Sequence, residues 1–445
     1  VHKQWSQHEH LPYPVAHVIN SLLPEKDGSM SRFLRNKLFM GGCAAVFALH
    51  FNNYVATQFG YSVVVNRYID LRAFLDPFPE PFQNNLSWGV LLFGIYFSVV
   101  GIGYLLPRDV SFSIGIGRWV YGLIAAVATT WGLDLGSPQG RAPINFQQLG
   151  SYLGIFLIIL YTGRFYYLQT IKKTFSLKPV DEEHRQAVLG ARIFLLGFVL
   201  WIGWLGYLGL EWQLAVIYTV ICLVVYVVMS RILVETGLFY IQPILYPGLL
   251  MLNFMGPRAL EPDQFIIVLM ISTVIISDPR QAFMPYIVNA LKIVERQRLR
   301  VPPAMVWGAV AMVVALAAGI PASLYFQYDG GFANVNRWAR GSALVKRPFE
   351  ATAEHVQLLQ SQGNLEKAEA LEGFGRFLHI SPQEMTLVPF AIGLALVLGF
   401  SWARLRYPWW PLHPVLFCVW TGHAANMTAS CFLIGWFIRT VVMHY

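Results

Sequence analysis

Arg231 and Glu235 stand four residues apart at the end of an apolar run, the spacing that puts two side chains on one face of a helix. Ionisable groups within a membrane span are costly and mark functional positions by default. Two readings follow for this pair: a structural ion pair at the membrane boundary, or a carboxylate at Glu235 that carries a coupling proton. Asp278 and Arg280 lie in Ile276-Ser-Asp-Pro-Arg-Gln-Ala-Phe-Met-Pro285, between an apolar run and an amphipathic one. His423 and Asn426, three apart, share a face of a helical pattern, and His50 lies beside Asn52 and Asn53. Imidazole titrates near neutral pH, so His50 and His423 are candidates for a proton relay. The plainer reading of each is a satisfied packing residue. Arg118 and Arg164 lie near the ends of apolar runs, where long cationic side chains snorkel to the interface.

Freed backbone groups at interrupted helices are a second source of binding chemistry. Gly237-Leu-Phe-Tyr-Ile-Gln-Pro-Ile-Leu-Tyr-Pro-Gly248 carries two prolines and two glycines in an apolar run, and each proline removes a donor and clashes with the preceding turn. The breaks at Gln242–Gly248 and Asp278–Pro285 would line a path, with Gln242 and Tyr246 on it. A third break, Tyr407-Pro-Trp-Trp-Pro-Leu-His-Pro414, precedes the small and polar run Thr421–Asn426. The alternative for every break is a proline kink in a packed bundle.

No residue set supports catalysis, a metal or a cofactor: there is no HExxH, no GxSxG and no Walker A loop. Cys43, Cys222, Cys418 and Cys431 form no CxxC pattern and read as small buried hydrophobes. Gly101, Gly103, Gly115 and Gly117 read as packing spots.

The elements that must hold these residues are membrane spans. Hydrophobic residues make up 56% of the chain and charged residues 13%, against about 25% charged in soluble domains. The net charge of +8 fits basic loops rather than nucleic-acid binding. Apolar stretches of about 18 to 25 residues recur, each long enough to cross a bilayer. They are Lys37–Gln58, Ser87–Leu106, Phe112–Leu133, Leu149–Leu168, Leu189–Leu210, Gln213–Val234, Pro303–Phe326 and Met385–Leu405. If Gly237–Gly256 and Gln264–Leu291 also cross, the basic groups around Arg35, Lys172, Arg231, Arg296 and Arg404 share one side, the cytoplasmic one by the positive-inside rule. That makes about eleven crossings, with Leu412–Val442 either one broken helix or a hairpin. The expected fold is an all-α polytopic membrane protein with broken or re-entrant helices. Residues 1–36 form an interfacial segment, 37–326 a transmembrane core, 327–384 an external helical loop and 385–445 a C-terminal membrane segment. In the loop, helices are expected at Thr352–Gln362 and Leu365–Leu378, as a solvated connector or a cap. A start at Val1 without a leader suggests a missing upstream part or a split chain.

Glu9-His-Leu-Pro-Tyr-Pro14 resembles the Glu-x-Leu-Pro-Tyr-Pro signature of the oligopeptide transporter superfamily, with Val15 and His17 where that signature continues in small residues. The chain is more similar still to an uncharacterised group of bacterial multi-pass proteins related to that superfamily. That likeness rests on Trp5…Glu9-His-Leu11…Pro14, Gly103-Tyr104…Ser111-Phe112-Ser113, Arg231…Glu235-Thr-Gly237, Asp278-Pro-Arg280…Met284-Pro285 and Tyr407…His-Pro414, in that order. The resemblance implies proton-coupled uptake of peptides or metal chelates through an inverted-repeat core. It also implies a bacterial inner membrane and further spans before the Trp5–Pro14 segment. The expectation is a secondary transporter of small peptides or similar polar solutes, as a homo-oligomer or with a partner supplying the missing spans. The alternative is a transport-inactive structural subunit of a larger membrane complex.

Overall fold

The computed structural model of the chain describes all residues but 25–28, 33, 61–63, 66–67, 136–141, 177–181, 239–240, 242, 244, 277–281, 332–345, 383 and 444–445, and all side chains of those but 182–184 and 423–424. In chain order, α1 (Pro14–Leu22) precedes α2 (Lys37–Phe59). A broken stretch follows: β1 (Tyr68–Asp70), α3 (Glu80–Ser87), β2 (Leu92–Gly94) and α4 (Phe97–Leu105). Next come α5 (Arg108–Thr130), α6 (Pro143–Thr162), α7 (Arg164–Phe175), α8 (Glu182–Tyr207) and α9 (Trp212–Thr236). The short α10 (Pro247–Met255) and α11 (Pro262–Ile275) lead to the amphipathic α12 (Phe283–Arg296) and to α13 (Val301–Gly330). The long loop holds α14 (Arg347–Ser361) and α15 (Leu365–Glu369), and the chain closes with α16 (Glu384–Arg406), α17 (Leu416–Val419) and α18 (His423–Val442).

Among the described residues, eight helices are long and apolar enough to cross a membrane: α2, α5, α6, α8, α9, α13, α16 and α18. The protein is an all-α integral membrane protein. Local chemistry sets the ends. Proline opens α1, α6, α10 and α11, in the first turn where its missing N–H would have had no intrahelical acceptor. Asn36 caps α2, its Oδ1 accepting from the N–H groups of Leu38 and Phe39. Gly237, at φ 74°, ends α9 in the left-handed conformation that glycine adopts most readily.

Two seams hold the core. α6 and α16 run side by side so closely that a Cβ at Gly393 would lie 1.9 Å from the Gln147 carbonyl oxygen, and one at Gly150 2.0 Å from that of Phe390. Small residues permit this approach where no hydrophobic effect drives helices together in lipid. In the second seam α18 packs on α4 and α5, with Gly103 and Gly115 against Phe432 and Leu433. Gly117 meets Leu416, whereas Gly101 faces open space and is no packing spot. Cys222, Cys418 and Cys431 are buried as expected, but Cys43 is exposed on α2.

Ser87–Leu106 is not one span. α3 ends at Ser87, the chain turns through Gly89 (φ 80°) and β2, and only the nine residues of α4 are helical again. Apolar composition is the same for a helix and for a turn buried in protein, so hydropathy does not separate them. Leu412–Val442 forms a hairpin. His413 N–H donates to Ser113 near the start of α5, Trp420 packs near Gly117 and Tyr121 further along it, and α18 returns to Leu106 through Arg439.

α2 and α13 differ from the rest. α13 has no buried residue along thirty positions, and α2 buries only Ala56. His50 is exposed on α2 and joins none of the other candidate residues.

Candidate functional site

The candidate site begins at the last turn of α9, whose terminal carbonyls have no intrahelical partner. The Val234 carbonyl accepts from Tyr13 N–H at 3.0 Å, which docks the N-terminal segment onto α9. Tyr13 and His10 both adopt left-handed backbone, at φ 47° and 51°, uncommon for residues with side chains. The docking brings Glu9 and Trp5 to Arg231. The guanidinium pairs with Glu9 and with Glu235, the latter at 3.1 Å, and lies 5.5 Å from the centre of the buried Trp5 ring, close enough for a cation–π contact.

Glu235 has a second partner that sequence analysis missed. His413 Nε2 lies 3.3 Å from its Oε1, and His413 Nδ1 accepts from Val415 N–H at 3.2 Å. With Nδ1 occupied as acceptor, the ring proton sits on Nε2, so the imidazole donates to Glu235. Arg404 at the end of α16 approaches the same carboxylate oxygen at 4.0 Å and pairs with Asp109 at the start of α5. The result is a chain of alternating charge, Glu9, Arg231, Glu235, Arg404 and Asp109, with His413 hydrogen-bonded to Glu235. It ties the N-terminal segment, α5, α9, α16 and the mouth of the hairpin together.

A second polar set continues it. Ser6 and Lys292 both contact Glu295 of α12, at 2.5 and 3.1 Å, and Gln7 joins them at 3.2 Å. Burial works against the ionised Glu295, but the hydrogen bonds from Ser6, Gln7 and Lys292 outweigh it and pull its pKa down to about 2. Burial also lowers His2, to about 4, against the pull of Glu295, so that ring is neutral near pH 7.

Deeper in the bundle the two interrupted stretches meet beside the middle of α5. The Gly89 carbonyl accepts from Ser430 Oγ, and a Cβ on Gly89 would lie 2.0 Å from the Asn426 carbonyl oxygen. Arg118 does not snorkel. It lies ten residues into α5, about 15 Å along the helix, is 7% exposed, and donates from Nη2 to the carbonyls of Asn85 and Trp88. Its Nε and Nη1 have no partner among the described residues, nor has Asn426 Oδ1. The break after α17 frees carbonyls that glutamines satisfy: Gln147 Nε2 approaches Phe417 O at 3.5 Å and Gln148 Nε2 donates to Cys418 O at 2.6 Å. Trp420 Nε1 donates to Gln147 Oε1 at 3.1 Å.

Of the residues singled out in the sequence, Arg231 and Glu235 come together and Asn426 lies at the hairpin's turn. Tyr246 ends the extended stretch before α10, with the Arg347 guanidinium 4.8 Å from its ring centre. Gln242, Asp278, Arg280 and the His423 side chain lie outside the described residues. The opposite end of the bundle has a different device. Arg376, 1% exposed, donates to Glu211 at the start of α9 and to Glu261 at the start of α11. His355 Nε2 contacts the Leu260 carbonyl at 2.8 Å, and Ser381 N–H donates to the Met255 carbonyl at 3.0 Å. The 347–381 loop is thus fastened to that face, with Leu359 buried and Leu358 exposed. Its expected second helix is split: α15 stops at Glu369, and a 3-10 turn runs Gly373–His379 after Gly373 at φ 57°.

These features define a class, a polytopic helical membrane protein with interrupted helices and an ionic closure at one end. Within it, the chain belongs to a family of unknown function, DUF6785, whose sequence model matches residues 1–445. No curated protein matches the chain.

Proposed function

We propose that the protein is a secondary transporter of small peptides or similar polar solutes in the bacterial cytoplasmic membrane, driven by protons and related to the oligopeptide transporters. The observation that carries the reading is the meeting of residues 88–106 with the 412–442 hairpin beside Arg118 and Asn426. Interrupted helices at mid-depth supply polar groups to a solute that continuous helices cannot. In this reading Glu235 takes the coupling proton. Its protonation would weaken the contacts to Arg231 and His413 and let the ionic chain open.

The test is uptake of a mixture of small peptides into proteoliposomes under an imposed pH gradient. Glu235→Gln is expected to bring uptake to background while the protein stays folded, as thermal unfolding would show. Uptake that keeps its full pH dependence in the variant would remove the proton-carrier role.

The uncovered helices α2 and α13 favour a second reading, a structural subunit of a larger membrane complex. Thirty residues without one buried side chain suit a helix that packs against a partner protein. Purification from native membranes with fixed stoichiometry to several other proteins, and no uptake by the isolated chain, would select this reading.

A further inference from the structure

We propose that the groove between α1 and α12 is a binding site for one anionic phospholipid, with an acyl chain in the groove and the headgroup at Arg296. A cavity of about 200 Å3 opens there, walled by Val15 and Ile19 of α1, Leu233 of α9, Ile241, and Ala290 and Ile293 of α12. The walls are almost entirely apolar. One polar group interrupts them: Asn289 is 5% exposed, and its Oδ1 has no partner among the described residues. Both flanking helices are amphipathic, and at nine and fourteen residues neither is long enough to cross a bilayer, as suits helices at the headgroup boundary.

The rim supplies the charge that selects the lipid. Arg296 Nη1 lies 2.6 Å from His17 Nδ1, and Gln297 donates to Asn20 at 3.0 Å, so α1 and α12 are pinned together at one end of the groove. Arg296 follows the wall residue Ile293 by one helical turn and reaches His17 on α1, the helix that carries the wall residues Val15 and Ile19. Arg298 and Arg300 follow within four residues of Arg296 and are exposed. The carboxylate facing this set, Glu295, is engaged by Ser6, Gln7 and Lys292 on the other side of the helix. Burial and the nearby Arg296 and Lys292 lower the His17 pKa, so the ring adds no charge of its own at neutral pH. An apolar slot with a cationic lip at the membrane surface matches a chain and a phosphate on one molecule, and basic pockets on this side of a membrane bind acidic headgroups. A zwitterionic lipid would fill the slot without using the lip.

The experiment is native mass spectrometry of the full chain released from nanodiscs of phosphatidylglycerol and phosphatidylcholine. Wild type is expected to retain phosphatidylglycerol over phosphatidylcholine. Ala290→Trp, which fills the slot, should lose the retained lipid. Arg296→Glu changes an exposed side chain and leaves the Gln297–Asn20 contact to join α1 and α12, so it reports even if the tryptophan variant misfolds. It should reduce the preference by at least about fivefold, the effect of losing one basic residue at a membrane surface. Equal retention of both lipids by wild type, or an unchanged preference in Arg296→Glu, overturns the proposal. So does undiminished retention by a folded Ala290→Trp variant.

Discussion

Arginine–glutamate contacts hold both ends of the bundle, but the two ends are built for different things. At the loop end, one buried guanidinium, Arg376, is held between Glu211 and Glu261, and Gly373 N–H also donates to Glu211. At the other end, charge passes through Glu9, Arg231, Glu235, Arg404 and Asp109, spread over the N-terminal segment, α9, α16 and α5, and Glu235 keeps 29% of its side chain exposed. A single buried cation with two fixed anions has one arrangement, and removing it strands two carboxylates. A partly wet chain of pairs can exchange partners one at a time. The comparison separates a latch from a contact that can rearrange.

Three changes sharpen that contrast. Arg376→Ala should have the largest effect, about 3 kcal/mol of destabilisation for a broken buried pair, with the 347–381 loop becoming open to protease. Thermal unfolding combined with limited proteolysis reads both, and an unchanged loop would mean that His355 and Ser381 suffice to fasten it. Glu9→Gln should cost less, about 1 to 2 kcal/mol, because Arg231 keeps Glu235 and the Trp5 ring. Hydrogen exchange should show residues 1–22 loosening while α9 stays protected.

The smallest effect is one of pH. Glu295 has its pKa lowered by folding, so its contribution is fully present above the ordinary carboxylate value of 4.5 and is lost as pH falls towards about 2. His2 acts in the same direction. Its folded pKa of about 4 lies below the ordinary 6.5, so stability falls as pH drops through that interval. Exchange of residues 1–8 should therefore rise in two stages on acidification, the first from His2. Glu295→Gln should abolish the lower stage and keep the upper one.

Much of the scaffold was legible in the sequence, because a membrane span announces itself by length and apolarity. Seven of the eight expected spans match long helices. Ser87–Leu106 failed because its run of apolar residues is divided between the end of α3, a turn at Gly89, β2 and the short α4, and Gly89 and Gly94 were the signals of a turn. Arg118 was misplaced for a related reason. The apolar run starts at Phe112, but the helix starts at Arg108, so a residue near the end of the run is well inside the helix.

The site was legible only as fragments. Arg231 and Glu235 reveal themselves by local spacing, but Glu9 and His413 lie more than 170 residues away from Glu235 in sequence, and no periodicity links them. They did stand in the segments that carry the resemblance, Glu9 in the first and His413 in the last, and the fold brings both to Glu235. Arg376 left no signal, since an arginine in a polar loop looks like any other until its two glutamates fold over it.

The His413 ring also acts as a rigid spacer. One of its nitrogens accepts from Val415 N–H and the other faces Glu235. A flat five-membered ring cannot stretch, so the distance between the last turn of α9 and the turn leading into α17 is fixed by the width of one imidazole. A longer, flexible side chain at 413 would keep the polarity and lose that gauge.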